Sequence, residues 1–391
     1  MFINNKNCFY VGIVSFIVLI AFFLLFPKGE EKVLIDTLPV SSDEESITKS
    51  NSGIFSKFST LAENKVKSMS LDEKIGQLLL VQYPNSGAID AVKKYKLGGF
   101  VFFEKDFKDK SENEVINMIK DVQEASSIPL LTAVDEEGGS VVRVSSNSNL
   151  VNQKFSSPRE LYLDGGFELI EKDTKEKSKV LNNLGLNVNL APVVDVSVNS
   201  SDYIYNRTLG ENTTLTSTYA KTVISASKNS GVSYVMKHFP GYGNNLDTHD
   251  GEVIDNRTFS EIETNDLPTF EEGIIAGGEA ILVSHNTVVN IDSNNPASLS
   301  LSVNSLLRNN LNFTGVIITD DLSMGAVSSI DNVVVKALLA GNDLIMVSDY
   351  EKSFKEIKDA LDSGELSEDI IDEANRRIIS WKYYKGLMYD K

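Results

Sequence analysis

The chain has 391 residues, 41% of them apolar and 24% charged, enough for a large buried core. Asp and Glu total 55 against 37 Lys and Arg, a net charge of −18 that argues against a nucleic-acid partner, because phosphate binding needs a basic face. The single cysteine, Cys8, excludes an internal disulfide framework and any multi-cysteine zinc or iron–sulfur site.

Residues Phe9 to Phe26 form an uninterrupted run without charge, ended by Pro27 and Lys28. Eighteen residues at about 1.5 Å each span roughly the hydrocarbon thickness of a bilayer. The flank lacks the small-x-small pattern of a cleavage site, so the run is expected to be an uncleaved signal anchor over residues 1–27. Lys6 on the short N-terminal tail favours a cytoplasmic N-terminus. The expectation is a single-pass protein of the cell membrane, held through residues 9–26, with the rest of the chain extracytoplasmic. Residues 28–65 are rich in Ser, Glu, Lys, Asp and Thr, and SSDEESITKSNSG has no apolar period. They are expected to form a polar tether, although Ile54–Lys67 could form a small extra helix.

From residue 66 to 391 short apolar runs recur. They are Gly76–Gln82, Gly98–Phe103, Ile128–Val134, Asn187–Val196, Ser233–Phe239, Ala280–Asn286, Gly315–Asp321 and Asp343–Asp349. Near-continuous apolar runs suit parallel strands buried on both faces. Intervening stretches such as Asn113–Ala125 and Leu209–Asn229 are long enough for crossover helices. Eight strands alternating with helices predict an α/β fold, a (β/α)8 TIM-type barrel forming one catalytic domain. A doubly wound open sheet is the alternative, but neither a P-loop nor a Gly-x-Gly-x-x-Gly after the first strand supports it. Ser367 is expected to cap a last helix reaching about Lys385, with Ile370, Ala374 and Ile378 as its core-facing stripe.

In such a barrel the chemistry lies where strands end and the following loops begin. Here the strands run into Val134-Asp135-Glu136-Glu137-Gly138-Gly139, Lys237-His238-Phe239-Pro240-Gly241, Ser284-His285-Asn286 and Thr319-Asp320-Asp321. All three histidines, His238, His249 and His285, fall at or just after these ends.

The segments KHFPGYGNNLDTHDGEV, VDEEGGSVVR and GVIITDDLSMGAV together resemble glycoside hydrolase family 3, in its β-N-acetylglucosaminidase branch, which includes peptidoglycan-recycling enzymes. SLDEKIGQLLL resembles the entry to that barrel. The resemblance implies a retaining exo-glycosidase that removes terminal β-linked GlcNAc from peptidoglycan-type or related glycans. Retention requires a carboxylate nucleophile and a separate acid/base. Asp320 matches the nucleophile. His249, with Asp247 as its partner, matches the acid/base of this branch. A histidine titrates near neutrality, and an adjacent carboxylate orients the ring and favours its charged form. Asp135, Arg143, Arg207, Lys237 and His238 match residues that bind sugar hydroxyls. His285 either lines the same pocket or is a satisfied structural histidine. No cofactor or metal is implied, and the partner is a GlcNAc-terminated carbohydrate. The oligomeric state is not legible.

Three positions depart from the family pattern: Ser140 stands for Arg, Tyr242 for His and Thr248 for Ser. None removes a catalytic group, although Ser140 is expected to weaken an ion pair steadying the loop after the third strand. Other functions open to the same residues are a family β-glucosidase or glycoside phosphorylase, a metal-dependent hydrolase using His238, Asp247, His249, Asp250 and Glu252, and a membrane-tethered non-catalytic sugar-binding protein.

Overall fold

The computed structural model describes residues 53–389. The apolar run 9–26 and the first part of the tether lie outside them. Among the described residues no helix is long and apolar enough to cross a membrane.

The apolar runs form eight strands: β1 (Leu79–Gln82), β2 (Gly99–Phe102), β3 (Leu131–Val134), β4 (Val188–Asn189), β5 (Ser233–Phe239), β6 (Ala280–Val283), β7 (Val316–Thr319) and β8 (Ile345–Val347). Every residue in them except Gln82 is buried, which is why the runs lack a polar alternation. All neighbours pair in parallel in the order β8-β1-β2-β3-β4-β5-β6-β7. The Ile318–Leu344 bridge then joins β7 to β8 and closes the ring. The expected eight-stranded parallel barrel is therefore present. A two-stranded parallel ribbon, Ile254–Asp255 with Thr287–Val288, ties together the loops after β5 and β6.

Several boundaries differ from the sequence reading, for local reasons. Gly76 and Gln77 finish the helix Leu71–Gln77 instead of opening β1, because Ser70 and Glu73 form a capping box that starts the helix there. The crossover expected over 209–229 spans Thr213–Ser227, with Asn212 accepting from Leu215 N at its start. Asn187–Val196 contributes only two strand residues, and its remainder runs on as loop. The same Ser/Thr-x-x-Glu signature caps the helices Glu112–Ala125, Pro158–Asn183 and Phe259–Asn265. Each such cap is worth about 1 kcal/mol.

The tether ends earlier than residue 65. The helix Ser59–Ser68 buries Ala62 and Val66, which pack with Met69, Ile128 and Ile379 against the barrel body. The last helix, Glu368–Tyr384, follows Ser367, but that serine makes no side-chain cap. Its neighbour Glu368 instead pairs with Lys74 at 2.7 Å. The buried stripe runs through Ile371, Ala374 and Ile378, while Ile370 is only partly covered. This helix also carries Lys382, whose ammonium nitrogen is held by Gln77 Oε1 at 2.5 Å and Gly98 O at 2.9 Å. Burial without an acidic partner pulls that lysine down to about 7.

Candidate active site

The polar side chains gather at the C-terminal ends of β3, β5 and β7 and on the loops that follow. At the end of β3, Glu136 and Glu137 point to different tasks. Glu136 is fully buried and accepts from the amides of Arg143 (2.8 Å), Val144 (2.7 Å) and Ser145 (3.2 Å), with a short bond from the Ser145 hydroxyl. It pins the loop after β3, on which Ser140 is exposed. The loop turns at Gly138 and Gly139, both at positive φ, and a Cβ on Gly138 would meet Ser156 O at 2.1 Å.

Glu137 is the hub of a buried charge cluster. Arg207 grips it in a fork, Nε to Oε2 at 3.0 Å and Nη2 to Oε1 at 2.8 Å. Lys237 Nζ lies 2.6 Å from Glu137 Oε1 and 2.6 Å from Asp135 Oδ1. Burial opposes the Glu137 charge, but Arg207 and Lys237 outweigh it and hold its carboxyl far below the ordinary 4.5. Burial likewise opposes the Lys237 charge, and Asp135 and Glu137 outweigh it, so its pKa is raised. Glu137→Gln leaves two buried cations short of one counter-charge and should cost about 3–5 kcal/mol in urea unfolding at neutral pH. A depressed folded pKa gives stability that is present above the unfolded value and lost as pH falls through the folded one. The difference between wild type and Glu137→Gln should therefore shrink as pH drops below about 4.5. A pH-independent difference would remove Glu137 from this role.

His238 follows Lys237 on β5. Its Nδ1 lies 2.8 Å from Asp195 Oδ2, and its Nε2 lies 3.2 Å from Arg207 Nη2. The guanidinium can only donate, so Nε2 accepts and Nδ1–H donates to Asp195. Asp195 also accepts from Tyr242 N at 2.7 Å. Arg143 is different. Its Nε is buried without a hydrogen-bond partner, and its guanidinium forms no ion pair among the described residues.

Asp320 stands half-buried at the end of β7, its Oδ1 accepting from Asp321 N at 2.9 Å. Burial raises its pKa, but His285, His238, the Asp321 amide and Lys237 outweigh that, and the net shift is downward. Asp321 is committed elsewhere: Oδ1 accepts from Ser323 N at 2.8 Å and Oδ2 from Gln82 Nε2 at 2.5 Å. His285 is the satisfied structural histidine. Its Nε2–H donates to Asp321 O at 3.0 Å and its Nδ1 accepts from the Ser298 hydroxyl at 2.7 Å. Burial holds it below its usual value.

The long loop after β5 carries His249 and Asp247. Nδ1 of His249 is 2.7 Å from Asp247 Oδ1, which also accepts from His249 N at 3.0 Å. The imidazole is 63% exposed, and Asp247 engages its Nδ1. Burial raises the Asp247 pKa, but the His249 amide and ring and the Tyr203 hydroxyl outweigh it, and the net shift is downward. Burial and the bond to Asp247 push the Tyr203 phenol up to about 12. Tyr242, the residue that departs from the family pattern, braces this loop. Its hydroxyl accepts from Thr248 N at 3.0 Å and donates to Leu246 O at 2.8 Å. Asp250 and Glu252 are exposed. Among the described residues no three His, Cys, Asp or Glu side chains are grouped to share a metal ion.

The structure thus brings Asp135, Arg207, Lys237 and His238 into one linked network, sets Asp320 within its electrostatic reach, and pairs Asp247 with His249. Glu137, Asp195 and Tyr203 were not singled out from sequence. Glu137 lies just past the end of β3, Asp195 farther along the loop after β4, and Tyr203 in a loop without any local signal.

A closed parallel barrel with carboxylates and cations at its strand ends, and a carboxylate–histidine pair on a following loop, offers a nucleophile and a separate proton donor of the kind glycoside hydrolysis needs. The model of the glycosyl hydrolase family 3 N terminal domain matches residues 70–381, and the chain belongs to that family. It is 27% identical over 326 residues to beta-hexosaminidase A of Pseudoalteromonas piscicida, covering 75% of this chain and 54% of that enzyme. It is also 27% identical over 329 residues to beta-hexosaminidase LpqI of Mycobacterium tuberculosis, covering 80% of this chain and 83% of that one. The chain thus spans about half of the first relative and most of the second. Among solved structures it resembles a family 3 beta-N-acetylglucosaminidase from Paenibacillus sp. str. FPU-7. There the TM-score is 0.77 and the identity 27%, over 83% of this chain and 64% of that one.

Proposed function

We propose that the protein is a retaining exo-β-N-acetylglucosaminidase acting on peptidoglycan-type or related glycans. The observation that carries this reading is the Asp247–His249 pair on the loop after β5, tied by backbone hydrogen bonds to the loop that follows Asp320, with the imidazole exposed and its Nδ1 engaged. Asp320, kept ionised, attacks the anomeric carbon while His249 gives its Nε2 proton to the departing glycosidic oxygen. The C–O bond breaks, its electron pair leaves with the protonated sugar, and a glycosyl ester on Asp320 remains. His249, now neutral, takes a proton from water as that water attacks the ester and restores the carboxylate. Asp247 holds the ring in place through Nδ1. Lys237, Asp135, Arg207 and His238 form the floor that binds the terminal sugar's hydroxyls, and the unpaired Arg143 guanidinium is free to join them.

The reading is tested with a panel of aryl glycosides, with and without inorganic phosphate. The expected result is a kcat/KM for the β-GlcNAc substrate at least about 10-fold above that for the β-glucoside, a gap of about 1.4 kcal/mol. Equal or better use of the glucoside would overturn the sugar assignment. Release of a sugar phosphate in place of free GlcNAc would make the enzyme a phosphorylase.

A further inference from the structure

The loop that carries His249 is joined to the loop that carries Asp320 by two adjacent backbone hydrogen bonds. Gly325 N donates to His249 O at 3.3 Å, and Ala326 N donates to Thr248 O at 3.2 Å. Four residues separate Gly325 from Asp320, and that stretch is itself fixed. Leu322 N donates to Met346 O at 3.0 Å, Met324 N donates to Asp321 O at 3.0 Å, and Asp321 is gripped by Gln82. On the other side His249 has little else to hold it, because its side chain is largely exposed and bonds only to Asp247.

Gly325 lies directly against the backbone of the His249 loop. A Cβ built there would lie 2.6 Å from His249 O, 3.2 Å from Gly251 N and 3.3 Å from the Asp250 carbonyl carbon. All three are backbone atoms, so no side chain can swing away to make room. Even one methyl group must push the His249 segment outward by about 1 Å, a displacement that can cost about 100-fold when it falls on a catalytic group. Tyr242 holds Leu246 and Thr248 just before it, so the shift falls on residues 249–251.

We propose that Gly325 is a positioning residue: its missing side chain lets the nucleophile loop serve as a ruler that sets the distance from His249 to the glycosidic oxygen held above Asp320. This rests on the assignment of His249 as acid/base given above. The ruler acts on the acid and not on the nucleophile, and this makes it separable from a general packing role.

The test compares Gly325→Ala with wild type and with His249→Ala on two GlcNAc substrates, a disaccharide and a dinitrophenyl glycoside, reading kcat/KM for each. It also reads the rate at which an activated fluoro-sugar labels Asp320. The disaccharide needs a proton on its leaving oxygen, whereas the dinitrophenolate and the label do not. For Gly325→Ala the expected result is a loss on the order of 10- to 100-fold on the disaccharide, with less than about a 3-fold change on the aryl substrate and the labelling rate. An equal loss on both substrates, or slowed labelling, would overturn the proposal and make Gly325 a packing residue of the barrel mouth. If His249→Ala shows the leaving-group selectivity and Gly325→Ala does not, the ruler falls and the acid assignment stands. If His249→Ala is itself unselective, the acid assignment falls, and the ruler with it.

Discussion

Asp320→Ala should lower kcat on any β-GlcNAc substrate by at least about 10,000-fold, or about 5 kcal/mol of barrier, because without the carboxylate no glycosyl ester can form. Its fold should survive. The side chain is half-buried at the mouth and contributes one hydrogen bond from Asp321 N, worth about 1 kcal/mol. The melting temperature should therefore stay within roughly 4 °C of wild type. In the wild-type enzyme a fluoro-sugar ester should be found on Asp320 by peptide mass analysis. The buried carboxylates nearby are poor competitors: Glu136 is saturated by backbone amides, and Glu137 by Arg207 and Lys237. A label on either of them would refute the assignment.

His249→Ala should separate substrates by leaving group. On a GlcNAc disaccharide the loss should be about 100- to 10,000-fold, the usual worth of a positioned acid. On a nitrophenyl glycoside the glycosylation step should suffer far less, and the ester on Asp320 should accumulate because water lacks its base. Azide, already an anion, should restore turnover of that ester. Asp247→Asn should behave as a weaker version. Removing the carboxylate that lies 2.7 Å from Nδ1 takes away the acceptor that orients the ring, so the loss on the disaccharide should fall between wild type and His249→Ala. Equal losses on both substrates, with no response to azide, would move the acid role to Asp250 or Glu252.

Much of this arrangement was legible in the sequence because a parallel barrel announces itself twice. Its strands are buried on both faces, so they read as bare apolar runs, and its functional residues begin where those runs stop. Lys237, His238, Asp135 and Asp320 lie at those ends, and the family resemblance gave them their expected roles. Two residues with the same signature were passed over. Glu137 sits behind Asp135 and Glu136 in a run of three acids, and spacing alone does not tell which of the three is gripped by Arg207. Asp195 ends an apolar run of which only two residues pair as strand. The role of Tyr242 was not legible at all. It differs from the family's residue in kind, and only the fold shows its hydroxyl closing on the Leu246–Thr248 backbone. Strand and helix limits shifted where a capping serine or threonine competed with the apolar pattern, as at Ser70.

The charge cluster beneath the mouth has a consequence for the reaction coordinate. Asp135, Glu137, Asp195 and Asp320 outnumber the two cations, Lys237 and Arg207, that are bonded among them. Asp135, Glu137, Lys237 and Arg207 are locked by one another before any sugar arrives, and with Asp195 and Asp320 beside them the floor carries a standing excess of negative charge that needs no reorganisation. A neutral pyranose gains little from it. As the glycosidic bond stretches, the ring becomes oxocarbenium-like and positive, and the same fixed field then acts on a charge that did not exist in the ground state.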